Sequence, residues 1–294
     1  MVLQLPVALP REVQDSLALV VSRLSEIRFN NNSSRKLSEA GTHLLRGGGK
    51  LVRPALVLLG SYVTNGINLK SVDAAVAVEL IHTASLIHDD LLDKDTVRRG
   101  VPTVHTLYGN EIAILSGDLL ISKAIELSAS CGEDAIRELS RAAIDMSHGE
   151  AMDYEAQVSG HPLTLEEYLV IARLKTASLI GSSAAIGAIV AGADAGRVDT
   201  LRRYGENLGI AFQIRDDYYN ALGKSLGKGK STGNDETLHR PNIVTVLRSQ
   251  DHMTDVLGVA HRMNREYVEI AKNSVLNLGN SAKGLSNYAE YILI

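Results

Sequence analysis

The chain has 294 residues, 45% of them hydrophobic and 22% charged, a composition that excludes an intrinsically disordered or fibrous protein. Its formal net charge of -4 excludes a global attraction for nucleic acid, so any phosphate must be bound by local clusters of Lys and Arg. The single cysteine, Cys131, excludes an internal disulfide, and no Cys or His spacing suits zinc, so we expect a reducing, cytoplasmic setting.

Most of the chain has apolar residues at intervals of three and four, which is typical of amphipathic α-helices. Segments in which apolar and polar residues alternate are few, and the sequence contains no stretch typical of an interdomain linker. The N-terminal segment "MVLQLPVALPREVQDSL" has two prolines and no basic leader, so we expect neither a signal peptide nor a transit peptide. The sequence therefore predicts an all-α protein with a single domain over residues 1–294.

The first candidate binding element in chain order is the glycine-rich stretch "GGGKLVRP" at residues 47–54. Glycine lets the backbone approach an anion closely, and Lys50 and Arg53 supply positive charge beside it. Pro54 fits the first turn of the helix that follows. Either cation taken alone is more often a surface residue, but the three glycines before Lys50 make a phosphate-binding role for it more plausible.

The long segment at residues 71–93 is apolar almost all the way round a helix, which predicts a buried central helix. It ends in "HDDLLD", where Asp89 and Asp93 are four residues apart and share one face, while Asp90 is turned about 100° aside. Two like charges so close together require a compensating cation or full hydration. Oxygen ligands with no Cys or His among them suit Mg²⁺.

An uncharged segment at residues 176–193, "TASLIGSSAAIGAIVAGA", approaches the length of a membrane span. Its many Gly, Ser and Ala residues make it only weakly hydrophobic and allow neighbouring helices to approach closely. We therefore predict a buried helix here and no transmembrane segment.

A second long helical pattern, at residues 203–222, also ends in acidic residues, Asp216 and Asp217, with Asn220 four residues after the first of them. A single acidic cluster is often a solvated helix end, but two clusters, each closing an apolar helix, weaken that interpretation. Magnesium takes one or two carboxylates and completes its coordination with water and phosphate oxygens. Two such clusters facing each other would therefore hold a diphosphate between them.

The segment at residues 223–242 combines Gly, Ser, Asn and basic residues, which is typical of a loop. Its "GKSLGKGKST" does not fit a nucleotide-binding P-loop, because Lys224 stands where the first glycine is required and no strand pattern precedes it. Other cations that could bind phosphate are Arg98 and Arg99 after the first acidic cluster, Lys175 in "LKTAS" and Lys228 in this loop.

The motifs "GGKLVRP", "ELIHTASLIHDDLLD", "RRG", "KTAS" and "FQIRDD" occur in this order, and over about residues 45–242 the chain closely resembles the trans-isoprenyl diphosphate synthases, also called polyprenyl synthetases. The resemblance implies an all-helical bundle of the isoprenoid synthase type with a deep central cavity, usually within a homodimer. It also implies a Mg²⁺-dependent prenyltransferase, with three ions per site once substrate is bound. Such an enzyme condenses isopentenyl diphosphate with an allylic diphosphate (dimethylallyl, geranyl or farnesyl) through ionisation, condensation and proton elimination.

The resemblance also implies roles for individual residues. The Mg²⁺ ligands of the first acidic motif correspond to Asp89, Asp90 and Asp93, and those of the second to Asp216 and Asp217. The positions that bind the allylic diphosphate correspond to Arg98, Lys175 and Lys228. The positions that bind isopentenyl diphosphate correspond to Lys50, Arg53, His82 and Arg99. Thr176 and Gln213 match polar positions near the reacting carbons, where the family steadies the developing cation.

The helix that carries the first acidic motif also contains two candidate residues for control of product length and one candidate substrate ligand. Ala84 and Ser85 precede Asp89 by about one helical turn, and both are small. In the family a bulky aromatic residue there stops chain growth early, so the resemblance implies a geranylgeranyl product or a longer one. A histidine on an apolar helix is more often a core residue, but His82 lies seven residues before Asp89 on the same face, which favours a ligand role.

Two other functions remain open from the sequence. A class I terpene cyclase shares the fold and the first motif, although neither "NDETLHRPN" nor "DDYYNALGK" supplies the Asn/Ser/Glu metal triad usual in that class. A non-catalytic subunit of a heteromeric prenyl synthase is the second alternative. It is suggested by Asn220, which replaces the usual last aspartate of the second motif, and by the irregular loop that follows.

Overall fold

The computed structural model describes residues 9–29, 34–223, 241–250 and 254–294, and these residues confirm the predicted all-α fold. The chain begins with α1 (Arg11–Glu26), α2 (Arg35–Arg46), α3 (Val52–Tyr62) and α4 (Leu69–Asp93), followed by the strands β1 (Val97–Arg98) and β2 (Val101–Pro102). The middle part forms α5 (Val104–Tyr108), α6 (Asn110–Ser128), α7 (Glu133–Ser159), α8 (Leu165–Ala172), a π-helical turn at Arg173–Ala177, and α9 (Ser178–Val190). The last part forms α10 (Ala195–Ala221), α11 (Ile243–Ser249), α12 (Val256–Ser274), a 3₁₀ segment at Leu276–Ala282, and α13 (Lys283–Glu290).

Helix α4 lies at the centre of the fold. It begins with a capping box, in which the Asn68 side chain accepts from the Ser71 N–H and the Ser71 hydroxyl accepts from the Asn68 N–H. Because α4 carries apolar side chains on most of its sides, it packs against α3, α6 and α9. The first acidic motif lies at its carboxyl end. The helix stops at Lys94, which adopts a left-handed conformation with φ of 56°.

A two-residue turn follows the first acidic motif. The strands β1 and β2 pair antiparallel, with Arg98 opposite Val101, and Arg99 and Gly100 form the turn with φ of 54° and 79°. Positive φ at both central residues is what a tight hairpin turn requires, but it is unfavourable for an arginine. Such strain is often found at functional sites, and here it fixes two consecutive arginines beside the end of α4.

Helix α9 is buried among α3, α7 and α10, as the small residues of its sequence predicted. The helical run Leu165–Val190 has a mean hydropathy of 1.4 in an 18-residue window, enough by composition to cross a membrane, yet 67% of that window is buried inside the protein. Close helix approach explains its composition, because a Cβ on Gly187 would lie 2.0 Å from the Val57 carbonyl oxygen of α3.

We predict that Gly187→Ala lowers the free energy of unfolding by about 1–3 kcal/mol, because the added methyl group forces α3 and α9 apart. Chemical denaturation measures the effect. Gly196→Ala in the first turn of α10 is the matched control, since its Cβ would lie 3.3 Å from the Asp194 carboxylate, which can shift. Equal stability of both variants would contradict the close packing of α3 and α9.

Candidate active site

Two adjoining cavities lie next to the ends of α4 and α10. The polar cavity has a volume of about 330 Å³ and is bordered by charged side chains from α3, α4, α7 and α10. The apolar cavity has a volume of about 430 Å³ and lies mainly between α4 and α7, with Ile121 of α6 on a third side. Four residues border both cavities: Ser85, Asp89, Met146 and Lys175. The two spaces therefore meet around one carboxylate and one ammonium group.

The residue spacing on α4 explains how one helix borders both spaces. Ile81, Ser85, His88 and Leu92 recur at intervals of three and four and border the apolar cavity. A neighbouring stripe, which contains His82, Leu86 and Asp93, borders the polar cavity. Ser85 and Asp89 belong to both stripes, which is why they lie where the cavities meet.

The two acidic motifs come together at the polar cavity. Asp89 and Asp93 border it from α4, and Asp216 and Asn220 border it from α10. Both motifs occupy the carboxyl ends of their helices, where the helix dipole is negative and disfavours further negative charge. The arrangement therefore favours the binding of cations between the motifs.

Asp90 faces a different way from its two neighbours in the motif. It is fully buried and forms an ion pair with Arg98, whose Nε donates to Asp90 Oδ1 over 2.6 Å. The same guanidinium lies 3.3 Å from Asp95 Oδ2. Arg98 also borders the polar cavity, so this buried cluster holds the arginine at the edge of the site. Asp90 is not among the residues that border either cavity.

Asp217 ends a chain of hydrogen bonds that ties three helices together. The Tyr168 hydroxyl and the Ile243 N–H donate to Asp217 Oδ2 over 2.7 and 3.0 Å. Gln213 Nε2 donates to Asp217 Oδ1 over 2.8 Å, and Thr176 donates to Gln213 Oε1 over 2.7 Å. Burial raises the pKa of Asp217 to about 7, although these hydrogen bonds oppose the shift. Both carboxylate oxygens accept from protein groups, so the position supports α8, α10 and α11.

Lys175 lies in the π-helical turn between α8 and α9. Its Nζ donates to Asp153 Oδ2 over 2.6 Å and lies 2.8 Å from Glu150 Oε2. Burial would lower the pKa of Lys175, but Asp153, Asp89 and Glu150 together raise it above its usual value. Lys175 therefore carries its positive charge at the junction of the two cavities.

Arg53 and His82 form a buried corner of the polar cavity. Arg53 Nη1 donates to His82 Nε2 over 3.0 Å, which places the histidine proton on Nδ1. Burial lowers the pKa of Arg53 to about 10, and Glu79 offsets part of this shift. Burial and the charge of Arg53 hold the pKa of His82 well below its usual value, so the ring is neutral.

Arg99 joins this corner to the glycine-rich stretch. Its Nη2 lies 3.2 Å from Glu79 Oε1, and a Cβ on Gly49 would lie 3.0 Å from the same nitrogen. Glycine at position 49 therefore lets the guanidinium pack closely on the backbone. Lys50 follows directly in the sequence. Partial burial lowers the pKa of Lys50, and the charge of nearby Asp216 offsets part of this shift.

Three positions from the sequence analysis remain: Ser85, Ala84 and Lys228. Ser85 borders both cavities, but Ala84 is only 1% exposed, packs in the hydrophobic core and borders neither cavity. Lys228 lies outside the described residues, as does most of the loop at residues 223–242.

Sequence reasoning missed four residues of the site: Glu79, Glu150, Asp153 and Tyr168. For Glu150 and Asp153 a signal existed, because "GEAMD" places two carboxylates three residues apart on one face of α7, directly after a glycine. Glu79 and Tyr168 give no such signal, since single polar residues on helices are common and only the folded structure brings them to Arg99 and Asp217.

The oxygen donors of the polar cavity fit Mg²⁺ that binds together with a diphosphate. Within the described part of the chain, no group of three or more His, Cys, Asp or Glu side chains is arranged to hold a metal ion by itself. Magnesium uses one or two carboxylates and completes its shell with water and phosphate oxygens. Asp89, Asp93 and Asp216 supply such carboxylates from two sides of one cavity.

Known proteins share this sequence and fold. A profile of the polyprenyl synthetase family matches residues 34–275. The short chain isoprenyl diphosphate synthase of Methanocaldococcus jannaschii is 36% identical over 266 residues, covering 85% of this chain and 80% of that protein. The geranylgeranyl pyrophosphate synthase of Geoglobus acetivorans is 31% identical, covering 96% of this chain and 97% of that one. The fold is also similar to a crystal structure of polyprenyl synthase from Caulobacter crescentus complexed with calcium and isoprenyl diphosphate. The TM-score is 0.88 at 26% sequence identity, and the superposition covers 96% of this chain and 95% of that one.

The chain belongs to the polyprenyl synthetase family. This membership confirms the predicted isoprenoid synthase fold and the predicted class of enzyme, a prenyltransferase that elongates prenyl diphosphates. The relatives are named as prenyl diphosphate synthases, which argues against the alternative of a terpene cyclase.

We predict that Asp90→Ala lowers the free energy of unfolding by about 3 kcal/mol, near the lower end for breaking a buried ion pair, because Asp95 still faces Arg98. Denaturant titration measures the effect. The control is Asp15→Ala, which breaks an exposed pair with Arg11 at 3.9 Å and should change stability by less than about 1 kcal/mol. If the two variants lose the same stability, the structural role of Asp90 is refuted.

Proposed function

We propose that this enzyme condenses isopentenyl diphosphate with an allylic diphosphate (dimethylallyl, geranyl or farnesyl) and releases a longer trans-prenyl diphosphate. One observation carries the proposal: carboxylates from two helix ends border a polar cavity that continues into an apolar one. A diphosphate group fits the first space and a hydrocarbon chain fits the second. The names of the relatives, which describe synthases of isoprenyl and geranylgeranyl diphosphates, support a product of this class.

We assign the binding of Mg²⁺ to Asp89, Asp93 and Asp216, with three ions per site once substrate is bound. When bound, Mg²⁺ would neutralise the negative charge that develops on the departing diphosphate. Asp90 and Asp217 are the weaker candidates for direct ligands. Asp90 is fully buried with its Oδ1 paired to Arg98, and both oxygens of Asp217 accept hydrogen bonds from protein groups. They instead hold the neighbouring side chains in place.

The chemistry begins with heterolysis of the allylic C–O bond, in which the electron pair stays on the diphosphate oxygen. Lys175 and Arg98 border the polar cavity and stabilise this charge from the protein side. From its sequence position we assign the same role to Lys228, which lies outside the described residues. The double bond of isopentenyl diphosphate then gives its electron pair to the allylic cation and forms the new C–C bond. A proton leaves the neighbouring carbon for the released diphosphate, which restores an alkene.

Thr176 and Gln213 steady the cation between these steps. Thr176 donates to Gln213 Oε1, and Gln213 donates one of its two N–H bonds to Asp217, so the threonine hydroxyl proton is directed within the protein. The threonine oxygen therefore presents lone pairs, and negative potential, near the end of the polar cavity. Such fixed dipoles stabilise positive charge without reorganising during the reaction.

Isopentenyl diphosphate is assigned to the corner formed by Lys50, Arg53, His82 and Arg99. Arg53 and His82 border the polar cavity, and the strained hairpin turn together with Gly49 positions Arg99 beside them. Within the described residues, His82 Nδ1 has no hydrogen-bond partner, so its proton is left for a ligand or a water molecule. The neutral ring can donate without adding charge.

We further propose that the enzyme is a cytoplasmic homodimer. Large apolar side chains are exposed on α6 and α7, including Ile114, Leu115, Ile125 and Ile144, which are each 48–58% exposed. An exposed apolar face of this kind favours contact with a second subunit.

The direct test uses the purified chain alone with Mg²⁺, labelled isopentenyl diphosphate and geranyl or farnesyl diphosphate. We expect longer prenyl diphosphates, no activity after chelation by EDTA, and recovery on adding Mg²⁺. Cyclised hydrocarbon products would contradict the proposal. Turnover that requires a second, different subunit would support the alternative of a non-catalytic subunit.

Product length tests the path of the growing chain. Because Ser85 borders both cavities while Ala84 packs in the core, Ser85→Phe should shorten the main product by blocking the junction. Ala84→Phe carries the same ring one position earlier and should instead lower stability by about 1–3 kcal/mol through overpacking. Chromatography of the products distinguishes the two. A shortened product from Ala84→Phe alone would refute this path, and the wild type should make geranylgeranyl diphosphate or a longer product.

A further inference from the structure

Two carboxylates on α7 hold the ammonium group of Lys175. Asp153 Oδ2 lies 2.6 Å and Glu150 Oε2 lies 2.8 Å from Lys175 Nζ, both within hydrogen-bonding distance. All three side chains are mostly buried, with 20–26% of their surface exposed. Of these three groups, the proposed reaction involves only the lysine directly.

The backbone around this cluster is built for close contact. A Cβ on Gly149 would lie 2.3 Å from the backbone nitrogen of Lys175, so only glycine lets α7 approach the π-helical turn. The π-helical turn is itself an irregularity that is frequent at functional sites. Together they place Glu150 and Asp153, one helical turn apart, against the same ammonium group.

The position of the cluster indicates its purpose. Glu150 borders the apolar cavity, Asp153 borders the polar cavity, and Lys175 borders both. An ammonium group has three N–H donors, so two carboxylates leave one donor for a ligand. Lys175 lies at the junction, which Asp89 also borders, where the diphosphate and the hydrocarbon chain of an allylic substrate would be joined.

Stability alone does not explain why this buried position carries a carboxyl group. Burial, and next the negative charge of Asp89, raise the pKa of Glu150 to about 7, and Lys175 offsets only part of this effect. A buried carboxylate in such surroundings is unfavourable, and an apolar residue is often at least as stable in its place. Residues that oppose stability in this way are typical of functional sites.

We infer that Glu150 and Asp153 are positioning residues, which hold Lys175 so that its remaining N–H bond points at the diphosphate of the allylic substrate. The inference rests on the proposed function and adds two residues to it. The carboxylates do not contact the substrate themselves. Their effect on the reaction passes through the lysine, whose placement decides how well the leaving diphosphate is stabilised.

The test compares Glu150→Ala and Asp153→Ala with wild type, using geranyl diphosphate and isopentenyl diphosphate. We expect kcat to fall by about 10- to 100-fold, the range for a misplaced catalytic group, while the KM for isopentenyl diphosphate stays unchanged. Glu150→Gln and Asp153→Asn should recover much of the loss, because an amide oxygen still accepts from Lys175. Glu155→Ala, which removes an exposed carboxylate from the same helix, should behave like wild type.

A double-mutant cycle with Lys175→Ala separates positioning from a general structural effect. If Glu150 acts through Lys175, then Glu150→Ala should cause no further loss of kcat in the Lys175→Ala background. The inference would be overturned if Glu150→Ala lowered kcat equally in the wild-type and Lys175→Ala backgrounds. A rise in the KM for isopentenyl diphosphate as large as the fall in kcat would also overturn it, and so would unchanged kinetics of the single alanine variants. An inactive wild type would instead contradict the proposed function itself, so the two failures are distinguishable.

Discussion

The concentration of negative charge at two helix ends is the constraint on which the rest of this site depends. Helices α4 and α10 each present carboxylates at their carboxyl ends, where the helix dipole already disfavours negative charge. The arrangement is stable only because cations share the space: Arg98 and Lys175 in the protein, and Mg²⁺ with a diphosphate in the proposed complex. In the proposed complex, binding of the diphosphate with Mg²⁺ would balance the negative charge of the two motifs.

Close helix packing gives this charged site its geometry. Gly149 brings α7 against the π-helical turn of Lys175, and Gly187 brings α9 against α3. The hydrogen bonds from Thr176 to Gln213 and from Gln213 to Asp217 then connect that turn with the second acidic motif. A rigid framework of this kind holds polar groups in fixed directions around a cavity, which is what stabilisation of a short-lived cation requires.

The sequence predicted the fold class and the main motifs because both depend on local spacing. The i,i+4 carboxylates, the small residues of α9 and the glycine-rich stretch all have physical signatures within a few residues. The orientation of α4 about its own axis has no such signature, because the helix is apolar on nearly all sides. The sequence therefore could not show that Ser85 borders the cavities while Ala84 packs in the core. Glu79 and Tyr168 were missed because their partners are distant in sequence. The single domain over residues 1–294 stays a prediction.

The central claim is that both acidic motifs bind one diphosphate through shared divalent ions. Its most direct test is a crystal structure of the protein with Mn²⁺ in place of Mg²⁺ and a non-ionisable thio analogue of an allylic diphosphate, with the ions located by anomalous scattering. The account predicts ions that bridge the diphosphate to Asp89 and Asp93 on one side and to Asp216 on the other, with the hydrocarbon chain in the apolar cavity past Ser85. Ions on one motif only, or a diphosphate bound outside the polar cavity, would contradict it.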